Sequence, residues 1–322
     1  MNTLGTRASL LALATLAALG LAAAPAARAQ QTLYVSNLNN VDKFDSSGTQ
    51  TPFFTVTSGR TFEGLAFDST GSLYVVNNSL SSIRKFTFSN GTATGATVIS
   101  TGLNGPNAIT FDSAGNLYVS NNGDGTITKF ANSGGTLSAT GTPFASGLGA
   151  SFGLAFDGSS TLYASNFSNG TITRFNTTTG TSTPFNPTFI TGALSGPTGL
   201  AFDSLGNLYV ANNGSGTIER FNTTTGVGTQ FNTSFISGGL SNPIGLAFDS
   251  TGNLYAANNT GGTIERFNAA GVGTQFATDT NGANFLAFSP AAAPEPSQLA
   301  ALGIGLLGLG ALALRARKRQ AA

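Results

Sequence analysis

The chain has 322 residues, only 8% of them charged, and contains neither histidine nor cysteine. These absences exclude the usual zinc ligand sets, disulfide bonds, and the Ser-His and Cys-His nucleophile pairs. Residues 30–293 carry 8 Lys and Arg against 12 Asp and Glu, so no basic surface for nucleic acid is predicted.

Residues 1–29 have the pattern of an export signal. Arg7 precedes an apolar run over residues 10–23, and Ala27 and Ala29 form the small-x-small pattern that a signal peptidase cleaves. A permanent membrane helix is the competing interpretation, but the run is short for a span and the cleavage pattern is present. We therefore predict export, with a mature chain that starts near Gln30.

One sequence unit recurs along most of residues 30–290. The stretch 197–222 matches the stretch 243–268 at 21 of 26 positions without a gap, and its landmark Phe and Tyr residues recur at steps of 40 to 46 residues. Such a period suits a four-stranded propeller blade. Apolar positions three and four apart, which would indicate a helical repeat, are not found.

Each unit predicts four antiparallel strands, which we name a to d. In the unit at 197–222, strand a covers residues 199–202, an Asx and Gly turn follows, and strand b covers 208–211. Strand c covers 217–221, and residues 228–235 are predicted to form the outer strand d.

The two ends of the repeat region predict how the ring closes. Residues 33–35 have the pattern of strand b with no strand a before them, and residues 284–288 have the pattern of strand a with no strand b after them. We therefore predict an all-β fold, a six-bladed β-propeller whose C-terminal strand completes the N-terminal blade. A closed ring of this kind is expected to be a monomer.

The repeat resembles a known family. Its pattern, GLAFDSxGNLYVANNxxGTIxRF, is similar to the NHL repeat of six-bladed β-propellers, although members commonly have Asp where this chain has the first Asn after strand b. The family contains both binding modules and enzymes, so the resemblance leaves function open.

The C-terminal residues 291–322 carry a second resemblance. Pro294, Glu295 and Pro296 precede a 16-residue uncharged run over residues 299–314, followed by a basic cluster. This pattern is similar to a PEP-CTERM sorting signal, and the resemblance implies a short transmembrane segment, an exosortase-type processing enzyme and the cell envelope or surface of a Gram-negative bacterium that often makes exopolysaccharide. A simple tail anchor is the alternative. The run extends only about 24 Å as a helix, which favours a transient anchor.

The predicted topology also gives candidate site residues on one face of the ring. We call upper the face where each strand a begins and each strand b ends. The positions at the start of strand a are Glu63, Asn107, Phe152, Thr198, Ile244 and Asn284. A ring of amides that ends each strand b contains Asn37, Asn77, Asn121, Asn166, Asn212 and Asn258. This ring is either a neutral platform for sugar hydroxyls or a set of turn caps.

On the opposite, lower face the repeat predicts two charged rings. The residue before the final Phe of each strand c is basic: Lys43, Lys85, Lys129, Arg174, Arg220 and Arg266. Strand a delivers an acid to the same face in five blades: Asp68, Asp112, Asp157, Asp203 and Asp249. We expect the rings to pair, with a gap at Lys43, because strand a of the first blade ends in Ser289, unless Asp42 or Asp45 substitutes. The alternative is a basic ring that binds an anionic polysaccharide.

The combined prediction is an exported, transiently anchored binding or structural protein whose partners are an extracellular polysaccharide or protein, with no cofactor and no catalysis. Glu63 is the only ionisable residue at the start of strand a, and a lone carboxylate cannot form a glycosidase pair or a multi-ligand metal site. The alternative is a propeller hydrolase or lyase of the lactonase type that uses a divalent metal.

Overall fold

The fold consists of β-strands around a central axis. The computed structural model describes residues 31–55, 61–89, 92–185, 194–232, 234–235, 237–279 and 281–290. Within these ranges the strands form six sheets of four or five strands, antiparallel except for one parallel pair in blade 6, and one two-stranded hairpin. The six-bladed β-propeller predicted from the sequence is confirmed. The predicted signal peptide and sorting signal lie outside the described residues, and no described element is a helix able to cross a membrane.

The two inner strands of each blade form the walls of the channel and of the blade junctions. From blade 1 to blade 6, strand a covers Leu286–Phe288, Phe62–Phe67, Pro106–Phe111, Ser151–Phe156, Pro197–Phe202 and Pro243–Phe248. In the same order strand b covers Leu33–Ser36, Leu73–Asn77, Leu117–Asn121, Thr161–Asn166, Asn207–Asn212 and Leu254–Asn258. Most residues of strand b are buried on both faces, because each blade packs between two others.

The two outer strands complete each sheet. Strand c covers Asn40–Phe44, Ser82–Ser89, Thr126–Phe130, Thr171–Asn176, Thr217–Asn222 and Thr263–Phe267. Strand d covers Gln50–Thr55, Thr92–Ile99, Thr142–Ala145, Ser182–Phe185, Gly228–Gln230 and Val272–Thr278. The hairpin Asn132–Ser133 with Thr136–Leu137 extends blade 3.

Ring closure follows the predicted pairing. Leu33, Tyr34 and Val35 pair with Phe288, Ala287 and Leu286 in antiparallel register. The ladder continues past the assigned strand, because Ser36 N donates to Phe285 O at 3.0 Å and Asn284 N donates to Ser36 O at 2.8 Å. The first and last segments of the body therefore share one sheet.

The prediction for strand d of blade 5 was wrong in its extent. The strand ends at Gln230 rather than continuing to Phe235. Phe231 N still donates to Ile218 O at 2.7 Å, but Ile218 N donates to the side-chain Oδ1 of Asn232 at 2.7 Å instead of to a backbone carbonyl. Ser234–Phe235 forms a separate strand that pairs in parallel with strand d of blade 6. This segment makes the sheet of blade 6 five-stranded.

A bulge near the start of strand a brings neighbouring blades into backbone contact. The ladder between strands a and b shifts register there in blades 2 to 6. In blades 2, 4, 5 and 6 the bulge carries a glycine, at Gly64, Gly153, Gly199 and Gly245. A Cβ on Gly245 would lie 2.6 Å from Asn284 O and 2.8 Å from Phe285 Cα. Glycine is therefore required for this approach of two backbones.

Candidate functional site

The upper end of the central channel is formed by the six residues at the start of strand a, and their exposure alternates around the ring. Those of blades 2, 4 and 6 are half-buried: Glu63, Phe152 and Ile244. Those of blades 3, 5 and 1 are buried: Asn107, Thr198 and Asn284. We call the three half-buried residues together with Asn107 the channel mouth.

Two of the buried polar residues connect their blade to the next one. Thr198 Oγ1 donates to Pro243 O at 2.8 Å, and Asn284 Nδ2 lies 3.5 Å from Phe62 O. Asn284 Oδ1 also accepts from Asn259 Nδ2 at 2.6 Å. These two side chains therefore hold blades together, whereas the buried Asn107 Oδ1 has no hydrogen-bond partner. This oxygen is itself buried, so it is not open to a ligand in this conformation.

Glu63 has an environment that favours its neutral form. Burial raises the pKa of its carboxyl to about 7 from an ordinary value of 4.5. Near neutral pH the group can therefore be either a donor or an acceptor of a hydrogen bond. It lies in the blade next to that of Asn107, at the equivalent position.

An aromatic pair, which the sequence analysis missed, faces the mouth from blade 4. The rings of Phe152 and Phe167 are 5.1 Å apart at an interplanar angle of 42°. Phe167 follows the last Asn of strand b, where four other blades have Asn78, Asn122, Asn213 and Asn259. This departure from the repeat was the signal in the sequence that could have identified it.

Below the mouth the channel is uncharged. Its cavity of about 370 Å³ is lined by the backbone of strand a and by residues that include one aliphatic residue from each strand a: Leu65, Ile109, Leu154, Leu200, Leu246 and Leu286. The lining of this cavity contains no charged side chain. A ligand held here would meet uncharged groups below and aromatic and carboxyl groups at the mouth.

The amides that end strand b lie at the upper end of the blades but are at most 5% exposed. Asn37 Oδ1 accepts from Asn40 N at 2.8 Å, and Asn77 Oδ1 accepts from Leu80 N at 3.0 Å. In blades 3 to 6 the Nδ2 atom donates to the threonine hydroxyl at the start of strand c, at 2.7 to 3.2 Å. These hydrogen bonds are the kind expected of turn caps. Turn caps were the second interpretation given for the ring of amides that ends each strand b.

Blade 1 modifies this arrangement with a buried carboxylate pair. Asn37 Nδ2 donates to Asp42 Oδ2 at 2.8 Å and lies 3.1 Å from Asp279 Oδ2. Burial, followed by the nearby charge of Asp42, raises the pKa of Asp279. Asp42 is thus a buried acceptor for Asn37. Asp45 Oδ1 accepts from backbone N–H groups of its own turn. Neither was found to replace the missing lower-face acid of blade 1.

On the lower face a tyrosine joins the two charged rings. The Tyr of strand b pairs in register with the basic residue of strand c, as Tyr209 does with Arg220. Its hydroxyl donates to the acid of strand a, as Tyr118 does to Asp112 at 3.4 Å and Tyr209 to Asp203 at 3.3 Å. In blade 2 the predicted ion pair forms directly, with Lys85 Nζ 3.3 Å from Asp68 Oδ2.

The closed ring of six sheets makes the described part of the chain a six-bladed β-propeller. No protein-family model and no curated protein matches the sequence. Solved structures do match in fold. One, of a nidogen/laminin complex, has a TM-score of 0.69 and 17% identity over 82% of this chain and 100% of that chain. Another is virginiamycin B lyase from Staphylococcus aureus, with a TM-score of 0.53 and 16% identity over 78% of this chain and 75% of that chain.

The catalytically inactive form of that lyase with quinupristin matches with a TM-score of 0.56 and 17% identity, over 82% of this chain and 94% of that chain. The similar structures therefore include a complex of binding proteins and an enzyme. At these identities they establish the fold alone.

The pKa of Glu63 predicts a pH dependence of stability. Because its folded value of about 7 lies above its ordinary value of 4.5, Glu63 stabilises the fold fully below about pH 4.5, and this contribution is lost as pH rises through 7. We expect the free energy of unfolding of the wild type to fall relative to that of Glu63→Gln between pH 5 and pH 8, measured by urea unfolding. Glu63→Gln cannot ionise at this position and is therefore the reference for the comparison.

Proposed function

We propose that this chain is an exported binding propeller whose channel mouth binds a neutral sugar of an extracellular polysaccharide. The observation that carries the proposal is the pair of Phe152 and Phe167 rings, 5.1 Å apart, together with the half-buried Glu63 at the position of blade 2 equivalent to Phe152. Aromatic faces pack against the C–H faces of sugar rings, and carboxyl groups form hydrogen bonds with their hydroxyls. Aromatic side chains with a few polar groups are a common lining of ligand sites.

A glycan-binding screen on the exported body, residues 30–293, tests this proposal. The informative variant is Phe167→Asn, because asparagine is the residue that blades 2, 3, 5 and 6 carry at this position and the change should preserve the fold. We expect at least a tenfold loss of affinity for the glycan identified, which corresponds to about 1.4 kcal/mol. Calorimetric titration would measure it.

The matched control is Val227→Ala, which shortens an exposed apolar side chain near the lower face. It should leave the affinity unchanged. If no glycan binds, or if Phe167→Asn binds as tightly as the wild type, the channel mouth is not the sugar site.

The export part of the proposal depends on the two terminal segments. We propose that the segment 1–29 is removed by a signal peptidase and that an exosortase-type enzyme cleaves near Pro294, Glu295 and Pro296, which leaves an NHL-like propeller at the cell surface. We expect the intact mass of the surface protein to lack both segments. A mass that retains Arg315 to Arg319 would instead support a simple tail anchor.

A lyase or hydrolase activity is the second candidate, favoured by one observation. Glu63 has a pKa of about 7, which is in the range suited to a general acid or base near neutral pH. The same mouth fits a divalent metal poorly, since Glu63 is its one carboxylate, and no three His, Cys, Asp or Glu side chains within the described ranges group as metal ligands. Turnover of a lactone or glycan that Glu63→Gln abolishes would favour this candidate.

A further inference from the structure

A second pocket lies far from the channel mouth, near the lower face, at the junction of blades 5 and 6. Its volume is about 450 Å³, and its walls include Tyr209, Phe231, Phe248 and Ala269. Phe231 and Phe248 meet the Tyr209 ring edge-on at 4.8 and 5.0 Å. Leu205, which is 86% exposed, lies at the rim.

The junction of blades 1 and 2 has the same three aromatic walls. Phe53 and Phe67 meet the ring of Tyr34 edge-on at 5.0 and 5.4 Å. Tyr34 and Tyr209 hold the same place in strand b, Phe53 and Phe231 the same place beside strand d, and Phe67 and Phe248 the same end of strand a. The same site can therefore be compared directly at these two junctions.

A phenylalanine occupies this site at the junction of blades 1 and 2. The Phe88 ring lies 5.8 Å from Phe53 and 6.4 Å from Phe67, stacked on both at an angle of 29°, and 6.1 Å from Tyr34. The residue at the equivalent position of blade 6 is Ala269, two residues after the buried Phe of strand c. Alanine is too short to fill the space, which explains the open pocket.

Blades 4 and 5 have a polar residue at this position. In blades 4 and 5 it is a threonine whose hydroxyl donates to the blade's own turn, Thr177 to Ser160 O at 2.8 Å and Thr223 to Gly206 O at 3.0 Å. Ala269 has no group that could make such a bond. Blade 6 thus lacks both the hydroxyl of blades 4 and 5 and the ring of blade 2.

We infer that the pocket at the junction of blades 5 and 6 binds the aromatic side chain of a partner polypeptide. Phe88 shows that these walls accept a phenyl ring presented by an extended backbone, with the stacked and edge-on contacts that aromatic rings prefer. The exposed Leu205 offers a further apolar contact to residues beside that ring. The rim carboxylates are fixed, since Asp203 accepts from Asn207 and Tyr209 and Asp249 accepts from Asn253. This inference does not depend on the proposed sugar site.

The test uses the full chain and the capped peptide Gly-Phe-Gly as probe, with Gly-Leu-Gly as the non-aromatic control, followed by NMR chemical shifts. We expect the Phe peptide to bind at the blade 5 and 6 junction at least about tenfold more tightly than the Leu peptide. Ala269→Phe, which copies blade 2, should reduce that affinity at least about tenfold, and an unchanged or higher melting temperature would show that it is folded.

Phe88→Ala provides the reciprocal variant. It should open the equivalent site at the junction of blades 1 and 2 and raise the stoichiometry by one peptide. The inference is overturned if Ala269→Phe binds the peptide as well as the wild type does or if the Leu peptide binds equally well. It is also overturned if phenol binds in the pocket and the peptide does not, because the occupant would then be a small molecule.

Discussion

A chain that ends at Ala283 is expected to lose most of its stability relative to one that ends at Pro290. The shorter chain lacks the strand Leu286–Phe288 and the side chains of Phe285, Leu286 and Ala287, which are at most 9% exposed. Burial of the Phe285 and Leu286 side chains contributes about 1.5–3 kcal/mol each. Loss of the backbone hydrogen bonds to strand b of blade 1 adds to this cost. We expect a cost of about 5 kcal/mol, comparable to the whole stability of many domains.

Thermal unfolding followed by circular dichroism would measure this difference. A loss of about 5 kcal/mol corresponds to a melting temperature at least about 10 °C lower for a body of this size. The chain ending at Pro290 is the control, since it lacks the same distal tail but retains the closing strand. Equal melting temperatures for the two chains would refute closure by this strand as a source of stability.

Gly245→Ala is expected to destabilise the protein by about 2–3 kcal/mol, although it adds a single methyl group. The new Cβ would lie 2.6 Å from Asn284 O and 2.8 Å from Phe285 Cα. Both are backbone atoms that cannot rotate away, so the two blades must separate, and overpacking of this kind costs about 1–3 kcal/mol. Urea unfolding would measure the free energy of unfolding of the variant.

Gly239→Ala is the matched control for this substitution. A Cβ at Gly239 would meet no atom within 4 Å, and we expect a change within about 0.5 kcal/mol. If both variants lose the same amount of stability, backbone contact between blades is not the reason for glycine in the bulge.

The repeat was sufficient to predict the blades and their closure. Each strand has a pattern of apolar and polar residues that recurs along the chain. The sequence was less informative where a side chain replaces a backbone group in the ladder. Strand d of blade 5 ends early, and there the Asn232 side chain accepts from Ile218 N at 2.7 Å. The pattern of the repeat does not reveal such a contact.

The candidate site stays a prediction. The repeat identified the six positions at the start of strand a, but alternation in their exposure depends on which side chains reach the next blade, as Thr198 does. The aromatic pair and the junction pocket arise at Phe167 and Ala269, two departures from the repeat. Deviations from the common pattern were therefore more informative about binding than the pattern itself.

Closure also sets the order in which the ring can form. Ser36 and Phe285 are bonded although they are 249 residues apart in the chain, so strand b of blade 1 keeps an unpaired edge until the end of the body has been synthesised. Contacts of this separation form late and slow the folding of β proteins. During that interval the edge can capture Leu286–Phe288 of another copy, which would join two chains by exchange of a strand. Folding in dilute conditions thus favours the monomeric ring.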